Sequence, residues 1–325
     1  LGGADMQKIV DDSRLIVKCC KLYYEEYYTQ NEISNILGVS RPTISRLLKE
    51  GRDLGIVKIE IINPFERDFE ELERRTEKRF QIREVLIIED EADEVMQKRQ
   101  LAKAAAKYLR RIVKDGDTLG ISMGTTLKAI AEHINNNEKR RLTFVPLIGG
   151  VGQSEIDIHP NDIVMGFAQA FGGNFKLLHA PAVVSNENIK KELLKEQSIK
   201  EVIDHSKLCN IGIVGIGSPT DMGSTMMTSG YFNEDDTKEF AQLGVVGDIC
   251  LQFYDINGNA DQFDFNKRVV GINLTDLKEI DTVIGVACGE KKVNAIIGAL
   301  NSKIIDVLIT NYSNAVAINN YKNDK

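Results

Sequence analysis

Arg41, Thr43, Ser45, Arg46, Lys49 and Arg52 are interleaved with Ile44, Leu47 and Leu48 at helical spacing. A helix with that pattern buries its aliphatic side chains and turns guanidinium, ammonium and hydroxyl groups outward. Such groups reach phosphates and base edges, so the chemistry implied is contact with DNA. Another stretch, Gly120-Ile121-Ser122-Met123-Gly124-Thr125-Thr126, runs from a buried strand through glycines and hydroxyls into a helix start. Backbone N–H groups, the hydroxyls of Ser122, Thr125 and Thr126, and the helix dipole together suit a phosphate. Gly289-Glu290-Lys291-Lys292 offers a glycine at a helix start again, now with lysines in the first turn. Cations there oppose the dipole, which points to a compensating anion at Lys292.

Between these stretches, Gly149 and Gly150 would let the backbone approach a bound molecule. Gln153, Asp157, His159 and Asn161 carry groups suited to sugar hydroxyls, and Gly247-Asp248 adds a carboxylate acceptor. Gly120-x-Ser122-x-Gly124 also matches the nucleophile elbow of α/β-hydrolases. That reading needs a late histidine, and His159, His179 and His205 all come too early.

The cationic helix needs a partner to hold it, and residues 29–51 supply one as a helix-turn-helix. Thr29 followed by Glu32 is a reciprocal N-terminal cap, and Ile33, Ile36 and Leu37 give the first helix an apolar stripe. Gly38-Val39-Ser40 makes the turn, with Gly38 left-handed and Ser40 capping the second helix, whose first turn holds Pro42. The residues expected to meet DNA are Gln30, Ser40, Arg41, Thr43, Ser45, Arg46 and Lys49. Upstream, Asp12 or Ser13 should cap a helix that packs on the motif through Leu15, Ile16, Cys19, Leu22 and Tyr23, with Tyr27 and Tyr28 closing the small core. Downstream, residues 56–62 alternate as a half-buried strand or wing, and Pro64 ends the module.

Residues 65–80 carry Phe65, Phe69, Leu72 and Phe80 at helical spacing on an otherwise charged stretch. That seam either packs on the next domain or pairs with a second copy. From residue 85 strands and helices alternate: strands at 85–88, 118–122, 142–148, 211–216, 283–287 and 306–309, and helices at 94–113, 125–134, 162–171 and 291–300. Short aliphatic strands separated by helices indicate a doubly wound, mostly parallel α/β domain. Residues 249–262 break the rhythm, and Asp255-Ile256-Asn257-Gly258-Asn259 looks like the turn of an antiparallel hairpin. The domains expected are 1–62 for DNA, 63–82 as a linker helix and 83–325 for a ligand.

With 325 residues, 42% hydrophobic and 27% charged, the chain has the composition of a soluble globular protein. Its formal charge of −7 leaves DNA only the locally cationic helix to dock on. Five cysteines without paired spacing fit reduced thiols and no metal; no membrane span or signal peptide is visible, so a cytoplasmic protein is expected.

The segments 38–48, 120–126, 246–250 and 289–300 together resemble the SorC family of sugar-responsive bacterial transcription regulators. The resemblance runs from about residue 13 to the C-terminus. It implies an effector domain related in fold to glucosamine-phosphate deaminase and ribose-phosphate isomerase, a phosphorylated sugar as effector, operator DNA as partner, and a homodimer or homotetramer. It also implies that the Ser/Thr-rich helix start and Lys292 hold the phosphate, with no cofactor and no catalysis. The effector residues expected are Ser122, Gly124, Thr125, Thr126, Gly149, Gly150, His159, Asn161, Asp248, Gly289 and Lys292. Some family members place a basic residue just before the two glycines; Ile148 stands there, which favours a non-covalently held sugar monophosphate. An enzyme of sugar-phosphate isomerisation or deamination fused to a DNA-binding module is the alternative, with Asp248 as its one loose candidate base.

Overall fold

The computed structural model describes residues 3–59, 69–134, 140–151, 158–221, 224–228 and 232–322. Two compact units, Leu1–Asp68 and Phe69–Lys325, divide the chain. The first holds α1 (Gly3–Tyr24), α2 (Gln30–Leu37) and α3 (Arg41–Asp53). Thr29 Oγ1 accepts from Glu32 N at 3.4 Å while Glu32 Oε2 accepts from Thr29 N at 2.8 Å, the reciprocal cap that the sequence calls for. Gly38 takes φ 66°, and Ser40 Oγ accepts from Thr43 N to open α3. Ile16, Cys19, Cys20, Leu22, Ile33, Ile44, Leu47 and Leu48 form the small core. A Cβ at Gly51 would stand 2.4 Å from Cys20 Sγ, so α3 packs on α1 only because position 51 has no side chain.

Four expectations here need correction. The first helix runs through Asp12 and Ser13, so neither caps it; no proline or glycine interrupts residues 4–13 and the helix propagates upstream. Ile36 is exposed and lies outside the buried stripe. Tyr27 and Tyr28 do not close the core: Tyr27 adopts φ 58°, which turns its ring out to 86% exposure, and Tyr28 is also exposed. Residues 56–59 form no strand, and Ile56 and Ile59 are exposed; 60–62, Pro64 and Phe65 lie outside the described residues.

The second unit opens with α4 (Glu70–Phe80) and β1 (Glu84–Ile88), followed by α5 (Glu94–Ile112), β2 (Thr118–Ile121) and α6 (Thr125–Glu132). Then come β3 (Thr143–Pro146), α7 (Pro160–Phe171), β4 (Asn174–Phe175), α8 (Glu187–Leu193), α9 (Gln197–Lys207) and β5 (Ile211–Gly215). The short α10 (Thr225–Thr228) and α11 (Glu234–Gln242) precede the pair β6 (Gly247–Ile249) and β7 (Gln252–Tyr254). The chain closes with α12 (Leu274–Lys278), β8 (Thr282–Val286), α13 (Val293–Asn301), β9 (Val307–Asn311) and α14 (Tyr312–Asn320).

The main sheet has the order β1-β9-β8-β5-β2-β3-β4, and every pairing in it is parallel. Alternate residues along one strand enter different cores. Val307 and Ile309 join Leu101, Leu127 and Phe167 of α5, α6 and α7, whereas Leu308 joins Phe80, Ile296 and Ile318 of α4, α13 and α14. Helices therefore cover both faces, as the near-continuous aliphatic strands require. The seam on α4 is covered within the chain: Phe80 is buried, Leu72 packs on the same core, and Asn319 Nδ2 donates to Thr76 Oγ1 at 2.6 Å.

The antiparallel excursion exists, but its turn lies earlier than expected. β6 and β7 pair with each other through Cys250 and Leu251, which take φ 52° and 59°. These are glycine-like angles in non-glycine residues, held by burial of both side chains. The 255–259 segment is a turn after β7, closed by Asp255 Oδ1 accepting from Asn257 N and Asn259 N.

Candidate functional site

On α3 the cations Arg41, Arg46 and Lys49, together with Ser45, are exposed, and Gln30 is half-buried at the start of α2. Arg46 Nε stands 3.8 Å from Glu50 Oε1 with its side chain 70% exposed, a contact too solvated to hold the guanidinium. Ser40 Oγ and Thr43 Oγ1 bond each other at 2.8 Å. Those two hydroxyls first shape the helix start.

In the sheet unit, β8, β5, β2 and β3 are consecutive neighbours, so their parallel carboxyl ends share one edge. Gly289 and Lys292 follow β8, Gly217 and Asp221 follow β5, and Gly124 with Thr125 follows β2. Gly124 takes φ 117° and ψ 163° at the start of α6 and gives it no side-chain cap, so the first-turn N–H groups lack an intrahelical acceptor. Gly289, at φ 99°, repeats this arrangement and donates its N–H to Asn311 Oδ1 at 3.3 Å. Lys98 of α5 reaches the same edge, with Nζ 3.1 Å from Thr125 Oγ1.

The charges converge as the strands do. Burial holds the Lys292 ammonium below the ordinary lysine range; Asp248 and Asp221 act against that, and Lys98 adds to it. Burial pushes the Asp248 carboxyl up to about 6, opposed by Lys292 and by the Leu251 N–H, which donates to Oδ2 at 3.2 Å. Asp221 also pairs with Lys291 at 3.0 Å. The hairpin places Asp248 here through two main-chain bonds with Gly217, at 2.9 and 3.2 Å. A Cβ at Gly217 would fall 1.8 Å from Asp248 Oδ1, so only glycine admits the carboxylate.

Other expected residues take different parts. Ser122 is 2% exposed and its hydroxyl bonds the Cys250 thiol, whose pKa burial raises to about 12. A hydroxyl so enclosed has no elbow geometry, which removes the hydrolase reading. Gly149 and Gly150 are glycines for internal reasons: a Cβ would meet the carbonyls of Ala180 and Pro181 at 2.6 Å, or His159 Nε2 at 2.3 Å. Their close approach in the structure is to the chain itself. His159 caps α7, its Nδ1 accepting from Asn161 N at 3.2 Å, and the Asn161 amide bonds the N–H and C=O of Leu178. Ile148 is fully buried in the core and bridges Gly271. Gln153 and Asp157 lie outside the described residues.

Sequence reasoning missed Lys98, Gly217, Asp221 and Asn311. Gly215-Ile216-Gly217 at the end of a buried strand is the available signal for one of them. The position of Lys98, in the early turns of the helix that follows the first strand, was a weaker one.

Comparison with known proteins agrees with this architecture. The family model of a sugar-binding domain (Sugar-bind) matches residues 64–319, and that of sigma-70 region 4 matches residues 8–53. The deoxyribonucleoside regulator of Bacillus subtilis (strain 168) is 33% identical over 311 residues, covering 95% of this chain and 98% of the relative. The sorbitol operon regulator of Klebsiella pneumoniae is 32% identical over 310 residues, 94% of this chain and 97% of its own. The crystal structure of the full-length sorbitol operon regulator SorC from Klebsiella pneumoniae superposes with a TM-score of 0.72, covering 95% of this chain and 99% of that one. A helix-turn-helix at one end, a parallel sheet with a loaded edge at the other, and relatives that match both throughout place the chain in the SorC family of transcriptional regulators.

Proposed function

We propose that the chain is a DNA-binding regulator whose operator affinity is set by a phosphorylated sugar held at the carboxyl edge of β8, β5 and β2. The observation that carries this reading is Lys98 Nζ at 3.1 Å from Thr125 Oγ1 on the uncapped start of α6, with Lys292 near enough to feel the Lys98 charge. Lys98 disfavours the Lys292 charge, and an anion beside both would offset that. Thr125, Thr126 and the Gly124 turn would hold the phosphate, Gly289 would shape the opposite wall, and Asp248 would accept from a sugar hydroxyl. A cytoplasmic homodimer or homotetramer fits two half-sites read by two motifs. Residues 1–62 would serve DNA, 63–82 the link and 83–325 the effector.

The buried Ile148 leaves no basic group before the two glycines, which favours a non-covalently held monophosphate. The relatives' names direct the first panel toward deoxyribose and sorbitol phosphates. Calorimetric titration of the full chain should show saturable binding of one such phosphate and at least tenfold weaker binding of the matching free sugar. Equal affinities would remove the anion site.

One observation keeps a second reading in view: a carboxyl raised to about 6 beside a lysine suits proton transfer near neutral pH. Turnover of the bound phosphate would support an isomerase or deaminase fused to a DNA-binding module. Binding without turnover supports the regulator.

A further inference from the structure

A groove of about 560 Å³ lies beside the helix-turn-helix, lined by Tyr23, Tyr24, Tyr27, Tyr28, Gln30 and Arg41 among others. Tyr27 takes a left-handed backbone conformation that a bulky side chain rarely adopts, and the ring so placed is 86% exposed. Burial therefore does not compensate the backbone. Tyr28 is also exposed, while Tyr23 and Tyr24 meet edge to face at 4.9 Å and form a wall. Glu25 and Glu26 separate the two tyrosine pairs in sequence, yet neither lines the groove. Among the described residues its one charged lining group is the Arg41 guanidinium.

Arg41 is also the first residue of α3, the helix whose exposed cations are assigned to DNA in the proposed function. A molecule in the groove would meet Arg41 and so adjoin one bound along α3. Phenol hydroxyls and a guanidinium suit phosphate oxygens, and a tyrosine ring suits the apolar face of a deoxyribose. We propose that this tyrosine-lined groove grips the sugar-phosphate backbone of one DNA strand beside the base pairs read by α3, with Tyr27 as its main contact. This rests on the DNA-binding reading of the same motif. It adds a sequence-independent grip to base reading by α3, for which Arg46, exposed and held by no firm ion pair, is the residue we assign.

The test uses the full chain, a duplex selected by that chain from a random library, and a scrambled duplex of the same length. Tyr27→Ala removes the ring, and Tyr27→Gly removes it while relieving the backbone, so the second variant keeps the test valid if the first folds poorly. Both should bind the selected and the scrambled duplex about tenfold more weakly than the parent, by the same factor. Arg46→Ala should instead weaken the selected duplex alone. Parent-like affinity of a folded Tyr27→Gly chain for both duplexes would overturn the groove while leaving the DNA reading intact. A loss confined to the selected duplex would also overturn it, because Tyr27 would then be reading bases. If the parent itself binds no duplex, the DNA reading fails first.

Discussion

Replacing Asp248 with Asn removes one buried charge while keeping an oxygen that can accept from the Leu251 N–H. The Asp248 carboxyl is raised to about 6 in the folded chain, against roughly 3.9 for an unfolded aspartate. Between those two values the folded state holds a proton that the unfolded state has lost. Folding stability contributed by this group therefore falls as pH rises from about 4 to about 6, and is flat above. Integrated from about pH 4.5 to about pH 7.5, the loss is about 2 kcal/mol, and the Asn variant does not suffer it. Titrating groups that do not feel Asp248 are common to both proteins and cancel in the difference; Lys292, whose ammonium Asp248 favours, loses that support in the variant and reduces the gain. Urea titrations followed by circular dichroism at the two pH values should show the variant gaining on the parent by up to about that amount at the higher pH. Parallel stability curves would refute the reasoning, because Asp248 would then titrate as an exposed carboxyl.

Three further outcomes are expected. Lys292→Ala should weaken the sugar phosphate by about 1–3 kcal/mol in calorimetry and leave the free sugar unchanged, since a charge-assisted bond to phosphate is lost. Arg46→Ala should cost about 1–3 kcal/mol on the selected duplex at matched salt, measured by fluorescence anisotropy. Gly51→Ala should destabilise the small unit by about 1–3 kcal/mol, because its Cβ would stand 2.4 Å from Cys20 Sγ; Cys20→Ala in the same chain should recover most of that loss in thermal melts.

The sequence was most legible where local chemistry and periodicity agreed. Thr29, Glu32, Gly38 and Ser40 act within a few residues of themselves, and their caps form as expected. Aliphatic runs such as 283–286 and 307–309 are buried on both faces and can only be inner strands. What escaped notice depends on distant partners. Cys250 and Leu251 turn the hairpin at angles that sequence assigns to glycine, because the core around them holds the strain. Tyr27 looked like core from its aromatic ring, yet its backbone angle turns it outward.

The carboxyl edge proposed for the effector shows the same division. The glycine-hydroxyl start of α6 and Lys292 could be read from type and spacing, since helix ends announce their own electrostatics. Lys98 could not, because it meets Thr125 only once α5 and α6 lie side by side. Gly149 and Gly150 read as openings for a ligand, and glycine serves close approach of any kind; the neighbours in the structure are Ala180, Pro181 and His159.

The most direct test of ligand-gated DNA binding is the affinity of the full chain for its selected duplex, measured with and without a saturating sugar monophosphate. A coupling of about 1–3 kcal/mol between the sites would shift the dissociation constant by about 5- to 150-fold, and Lys292→Ala should abolish the shift at that concentration. The unphosphorylated sugar should leave the affinity where it was. A bound phosphate that leaves the duplex affinity unchanged, or a free sugar that shifts it equally, would contradict the account.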